Sequence, residues 1–85
     1  MGISQRLREV LHERYDGNQK AMAEAWELGE STLSRWLNRR RVPDPDSYDF
    51  LCERLGETVT EVHHLCQADR SRRRRVAQAL TAMAR

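Results

Sequence analysis

Residues 18–43 read NQKAMAEAWELGESTLSRWLNRRRVP, and this stretch limits the fold more than any other. Met22, Ala23 and Trp26 recur at i, i+1 and i+4, and Leu33, Trp36 and Leu37 at i, i+3 and i+4. Each set makes one apolar stripe, so the spacing predicts two short helices over about 19–26 and 30–38. Glu27, Leu28 and Gly29 leave room only for a turn, and Gly29 suits a non-helical cap conformation. Asn18 is placed to cap the first helix through its side-chain oxygen. Ala23 is small where two helices joined this way must approach closely.

The outward face of the second helix keeps Glu30, Ser31, Ser34 and Arg35, followed by Asn38, Arg39, Arg40 and Arg41. Short hydroxyls, a long guanidinium and a basic flank suit a helix laid in the DNA major groove.

Upstream, Ile3, Leu7, Val10 and Leu11 stand at i, i+4, i+7 and i+8 and predict a first helix over about 4–14. Tyr15, Asp16 and Gly17 end it, with Gly17 suited to a positive φ. Trp26 and Trp36 fall at core-facing positions and are expected to pack inside. Downstream, Pro43 and Pro45 push the residues before them out of the helical region, so 39–45 reads as a loop. Asp44 or Asp46 is then the expected cap of a fourth helix bearing Tyr48, Leu51, Cys52 and Leu55 on one face, with Gly56 ending it. Thr58 or Thr60 is the expected cap of a fifth helix in which Val59, Val62, Leu65 and Cys66 face inward.

The stretch resembles the lambda-repressor-like (Cro-type, or XRE) helix-turn-helix family. The matching residues are Asn18, Gln19, Met22, Ala23, Trp26, Leu28, the run Ser31-Thr32-Leu33-Ser34-Arg35-Trp36, Asn38 and Pro43. Leu51, Leu55-Gly56 and Val59-Thr60-Glu61-Val62 continue it, so the likeness covers roughly residues 3–65. Three departures stand out. Glu27 replaces the family's turn glycine, and Arg39 the glycine that ends its recognition helix. Leu37 replaces a Glu whose usual Arg partner on the first helix is also missing; a Leu11–Leu37 contact would account for the paired change. The resemblance implies base-edge contacts by Glu30, Ser31, Thr32 and Arg35, and DNA-backbone contacts by Asn18, Gln19, Ser34 and Asn38, with Arg39, Arg40 and Arg41 adding charge. Arg35 suits guanine O6/N7, and Glu30 can accept from a cytosine amino group. Asn18 and Gln19 would offer amides and a helix N-terminus to a phosphate.

Eighty-five residues suffice for one modest core. No apolar run of membrane-spanning length and no signal peptide are evident, so a soluble, cytoplasmic protein is expected, with no membrane partner. The net charge of +2 hides an asymmetry: residues 1–69 hold eight arginines and one lysine against thirteen acids, a balance of −4, while residues 70–85 hold six arginines and no acid. Positive charge in the body is therefore local, at Arg35 and Arg39 to Arg41. Cys52 and Cys66 are too few for a disulfide framework. His63, His64, Cys66 and Cys52 lack paired zinc-ligand spacing, and adjacent histidines on a helix diverge by about 100°. No metal or cofactor is expected. Nor is catalysis, for want of a glycine-rich phosphate loop, a nucleophile elbow or a carboxylate pair.

In the tail, Arg70 and Arg72 to Arg75 precede an alanine-rich run in which Val76, Leu80 and Met83 are spaced i, i+4 and i+7. Two readings stay open: a docked or dimer-forming helix with that stripe buried, or a basic arm whose Arg72, Arg73, Arg74 and Arg75 meet phosphates. The expected architecture is all-α: a compact bundle of five short helices containing a helix-turn-helix (residues 1–66), plus a basic C-terminal helix or arm (67–85). The expected function is sequence-specific binding of double-stranded DNA by a small bacterial or phage repressor or Cro-like homodimer on a palindromic operator. A protein-interaction module on the same fold, with a protein partner as an antitoxin or antirepressor has, is the alternative.

Overall fold

Five α-helices follow one another: α1 (Ile3–Tyr15), α2 (Gln19–Ala25), α3 (Glu30–Leu37), α4 (Tyr48–Leu55) and α5 (Val59–Met83), with a single 3-10 turn at Pro45–Ser47 before α4. The computed structural model describes the backbone of residues 1–83 and the side chains of residues 1–72, and among these there is no strand. The class is all-α. No helix among the described residues is long and apolar enough to cross a membrane.

Every stripe of the first four helices turns inward. Ile3, Leu7, Val10 and Leu11 of α1 meet Met22, Ala23 and Trp26, then Leu33, Trp36 and Leu37, in one buried cluster closed by Leu51, Leu55, Val62 and Cys66. Leu11 and Leu37 both belong to it. Trp26 is 2% exposed, its ring edge-on to Phe50 at 6.0 Å and its indole N–H donating to the Tyr15 hydroxyl at 3.1 Å. A buried indole needs that partner. Trp36 is likewise interior, so both tryptophans serve the core.

Each of the first four helices ends on a left-handed residue: Asp16, Glu27, Arg39 and Gly56, with φ of 52°, 55°, 57° and 70°. This is the conformation that lets the backbone fold back and satisfy the last carbonyls. At α1 both Asp16 and Gly17 are left-handed, Gly17 at φ 80° as its position predicts, and the Gly17 N–H reaches Leu11 O at 3.0 Å.

Several expectations are corrected. Neither Asp44 nor Asp46 caps α4 through its side chain; the 3-10 turn leads into α4, with the Ser47 N–H on Asp44 O at 2.9 Å. Thr58, not Thr60, caps α5, its hydroxyl accepting the Glu61 N–H at 3.1 Å. Val59 does not face inward but stands 51% exposed in the first turn of α5. There is no break between a fifth and a sixth helix: α5 runs for 25 residues, roughly 37 Å, through the basic segment. The 66/67 division falls inside it. The burial of Val76, Leu80 and Met83 and the contacts of Arg73, Arg74 and Arg75 lie outside the described residues.

Residues of the middle of α5 bind it to the body. Asp69 is 4% exposed and accepts the Ser4 N–H at 2.9 Å, supplying the first turn of α1 with the cap that Gly2 cannot give. Arg70 donates to the Tyr48 hydroxyl at 3.1 Å and to Pro43 O at 2.9 Å. The first arginine of the tail is therefore a structural tie. Arg72 is exposed.

Candidate nucleic-acid interface

The helix pair that carries the candidate site is set by two left-handed caps. At the end of α2 the Glu27 N–H reaches Glu24 O at 3.2 Å and the Leu28 N–H reaches Ala23 O at 2.9 Å. Gly29, extended at φ −64° and ψ 137°, then starts α3, its carbonyl accepting from the Leu33 N–H at 3.1 Å. At the far end the Arg39 N–H approaches Trp36 O at 3.4 Å and the Arg40 N–H bonds Arg35 O at 2.9 Å. Asn18 caps α2 as its sequence position predicts, its Oδ1 accepting the Ala21 N–H at 3.1 Å.

Packing sorts the residues of α3 by face. Leu33, Trp36 and Leu37 are 0%, 5% and 1% exposed. Glu30, Ser31, Arg35 and Asn38 are exposed on the other side, with Thr32 and Ser34 half-buried at the flanks. All four candidate base-contacting residues thus share one accessible surface, and Thr32 is the least open of them. Arg40 and Arg41 continue it as exposed cations, while Arg39 is half-buried. Arg41 is not free: it pairs with Asp44 at 3.4 Å, both side chains well solvated. Between α3 and this loop lies a cleft of about 230 Å³ lined by Thr32, Arg35, Trp36, Arg41, Asp44 and Ser47.

Three residues outside the expected set hold α3 in place. The hydroxyl of Ser4, buried, donates to Leu37 O at 2.7 Å, and Arg8 Nε donates to the same carbonyl at 3.0 Å. A helix C-terminus leaves its last carbonyls without partners and carries partial negative charge, so a guanidinium there is well placed. Asp69 fixes Ser4 from behind. A terminal nitrogen of Arg8 donates to Asn38 Oδ1 at 3.3 Å, and Asn38 Nδ2 donates to Ser34 Oγ at 3.2 Å. The sequence did carry a signal for Ser4 and Arg8, which stand four apart and one position round from the Ile3–Leu7–Leu11 stripe.

Behind the site, Cys66 is fully buried and packs near Tyr48 and Arg70. Burial pushes its thiol up to about 11, outweighing the Tyr48 hydrogen bond and the Arg70 charge. The Tyr48 hydroxyl is also raised, again chiefly by burial and against the Arg70 hydrogen bond. A thiol so held is a packing group and not a nucleophile. His63 is exposed with its ring edge-on to Tyr48 at 6.0 Å. Among the described residues no three His, Cys, Asp or Glu side chains come together as a metal site.

In comparison with known proteins, no family model matches this chain, and no curated protein or solved structure is significantly similar to it.

Proposed function

We propose that this protein is a sequence-specific DNA-binding transcriptional regulator, a small repressor or Cro-like protein of the bacterial or phage kind, acting in the cytoplasm. One observation carries the reading: α3 buries its whole apolar face and leaves Glu30, Ser31, Arg35 and Asn38 open, continued by exposed Arg40 and Arg41. A rigid helix with that surface offers donors and acceptors at its N-terminal half and positive charge at its C-terminal end. Those are the requirements for reading base edges while gripping phosphates. The resemblance to the lambda-repressor-like helix-turn-helix family supports the same assignment.

In this reading Arg35 donates to guanine, Glu30 accepts from cytosine, and Ser31 with Thr32 completes the base contacts. Asn18, Gln19, Ser34, Asn38, Arg39, Arg40 and Arg41 hold the backbone. Glu30 beside phosphates is unfavourable unless it makes a base contact, so it favours selectivity over tight general binding. One module of this size reads few base pairs, and useful specificity calls for a homodimer on a palindrome with half-sites one DNA turn, roughly 34–36 Å, apart.

Selection of bound duplexes from a random library, followed by gel shifts at two salt concentrations, tests the proposal. The expected result is enrichment of a palindromic site whose affinity falls steeply with salt. A second reading, a protein-interaction module such as an antitoxin or antirepressor, draws on exposed Glu24, Glu27 and Glu30 along the same helix pair. Absence of any enriched duplex, with no binding even at low salt, would favour that alternative.

A further inference from the structure

We infer that Arg8 is a positioning residue for this surface, acting through Asn38 to present the Ser34 hydroxyl as a hydrogen-bond donor to a backbone phosphate. The inference rests on the reading of α3 as a DNA-contacting helix and adds to it a residue on a different helix, together with the chemical sense of one contact.

The direction of the protons follows from the chemistry of the three groups. Arg8 can only donate, so the Asn38 atom 3.3 Å from it must be Oδ1. That fixes the amide, because turning it over would set two donors against each other. Nδ2 is then the atom facing Ser34, at 3.2 Å from Oγ. Having accepted from Asn38, the Ser34 oxygen keeps its own proton to give away. A hydroxyl that already accepts one bond has its proton and one further lone pair left. Phosphate oxygens are acceptors only, so the proton of Ser34 suits them. The relay therefore leaves Ser34 poised to donate to the DNA backbone, the contact that the family resemblance implies for it.

Arg8 is also well anchored for the task. Its Nε is held on Leu37 O at 3.0 Å, so the guanidinium is fixed to the end of the helix it serves. A cation at the head of the chain of donors polarises each bond in the same sense. Arg8 reaches Asn38 from another helix, and Asn38 carries the connection on to Ser34.

The test uses the full chain and a duplex enriched from a random library. Arg8→Ala and Asn38→Ala should each lower affinity about tenfold, a loss of the size expected for one charged hydrogen-bond relay. The Asn38→Ala variant keeps the Arg8–Leu37 bond, so a loss at unchanged melting temperature separates the relay from a folding defect. In a Ser34→Ala background Arg8→Ala should cost less than about twofold more, since coupled residues are not additive. The slope of affinity against salt should stay that of the parent in Arg8→Ala, because Arg8 touches no phosphate. In the free protein, the Asn38 side-chain amide protons should shift and exchange faster in Arg8→Ala, and be restored in part by Arg8→Lys. Additive losses, or a salt slope shallower by about one ion in Arg8→Ala, overturn the relay while leaving the regulator reading intact. A parent chain that enriches no duplex overturns the regulator reading and, with it, the phosphate assigned to Ser34.

Discussion

The hydroxyl of Ser4 donates to the backbone carbonyl of Leu37 across 2.7 Å, tying the start of α1 to the end of α3. The same residue's N–H is held by Asp69 of α5 at 2.9 Å, so one buried serine joins three helices. Asp69→Ala leaves the buried Ser4 N–H unmatched and should destabilise the fold by about 1–3 kcal/mol, the usual penalty for an orphaned buried group. Ser4→Ala leaves Leu37 O its Arg8 partner and should cost less, about 0.5–1.5 kcal/mol. Denaturant melts check this, and the double variant should lose less than the two singles added together.

The left-handed residues at the ends of α2 and α3 suggest an opposite effect. Glu27 and Arg39 sit at φ of 55° and 57°, where a Cβ is unfavourable and glycine is not. Glu27→Gly should raise stability by about 1 kcal/mol, or a Tm gain of about 4–8 °C for a domain this small. Arg39→Gly should stabilise similarly but weaken DNA binding by losing a cation. A Tm that falls in both variants would show that these side chains hold the caps by contacts stronger than the backbone strain.

Arg35 should determine specificity more than affinity. Arg35→Ala should weaken binding to an enriched duplex by about 1–3 kcal/mol, the value of a bidentate base contact. Binding to random duplex should change far less. Equal losses on both would make Arg35 a phosphate contact.

Alkaline pH should expose the buried thiol. Cys66 has its folded pKa raised to about 11 from an ordinary value of 9.0, so the fold prefers the neutral form. The stability this represents is complete below pH 9 and is lost as pH climbs through about 11. Tyr48, shifted in the same direction, adds to the loss at higher pH. Cys66→Val keeps the apolar volume and removes the titration. Its stability should fall less between pH 9 and 11 than the parent's, as read from urea midpoints at each pH.

Truncations of the tail should depend sharply on where they stop. Ending the chain after Asp69 removes Arg70 and its bonds to Tyr48 and Pro43, and should lower Tm. Ending it after Arg72 keeps those bonds. That second truncation is the one that reports on the remaining tail: sedimentation as a monomer would place the dimer contact there, whereas a shallower salt dependence alone would make it a phosphate-binding arm.

The elements and most of the core were legible because each helix carries one apolar stripe at its own period, and Asn18, Gly56 and Thr58 mark ends by local chemistry alone. Val59 was misread because it continues the apolar spacing of α5 into a first turn that no other helix covers. Asp69 was not anticipated, since a hydrogen bond spanning 65 residues leaves no periodicity behind, and the place of Ser4 and Arg8 beside the α1 stripe does not say what they reach. The candidate face of α3 was readable as the complement of its buried stripe. The relay across it depends on where α1 crosses, which no local pattern states. Glu27 and Arg39 were visible as departures from glycine, but only the backbone angles reveal that they adopt glycine's conformation.

The Ser4–Asp69 bond also bears on the order in which a newly made chain can mature. A nascent polypeptide leaves the ribosome from its N-terminus, and domains generally fold as units once enough sequence has emerged. The whole helix pair is synthesised by residue 38, yet the buttress that steadies Ser4 against Leu37 arrives only with residue 69. Until then the first turn of α1 has an uncapped N–H and the end of α3 rests on a serine free to turn away. The candidate surface of α3 would thus acquire its final geometry only after all of α4 and the first part of α5 have emerged. Fragments released early would carry every candidate base-contacting residue and still lack the frame that aligns them.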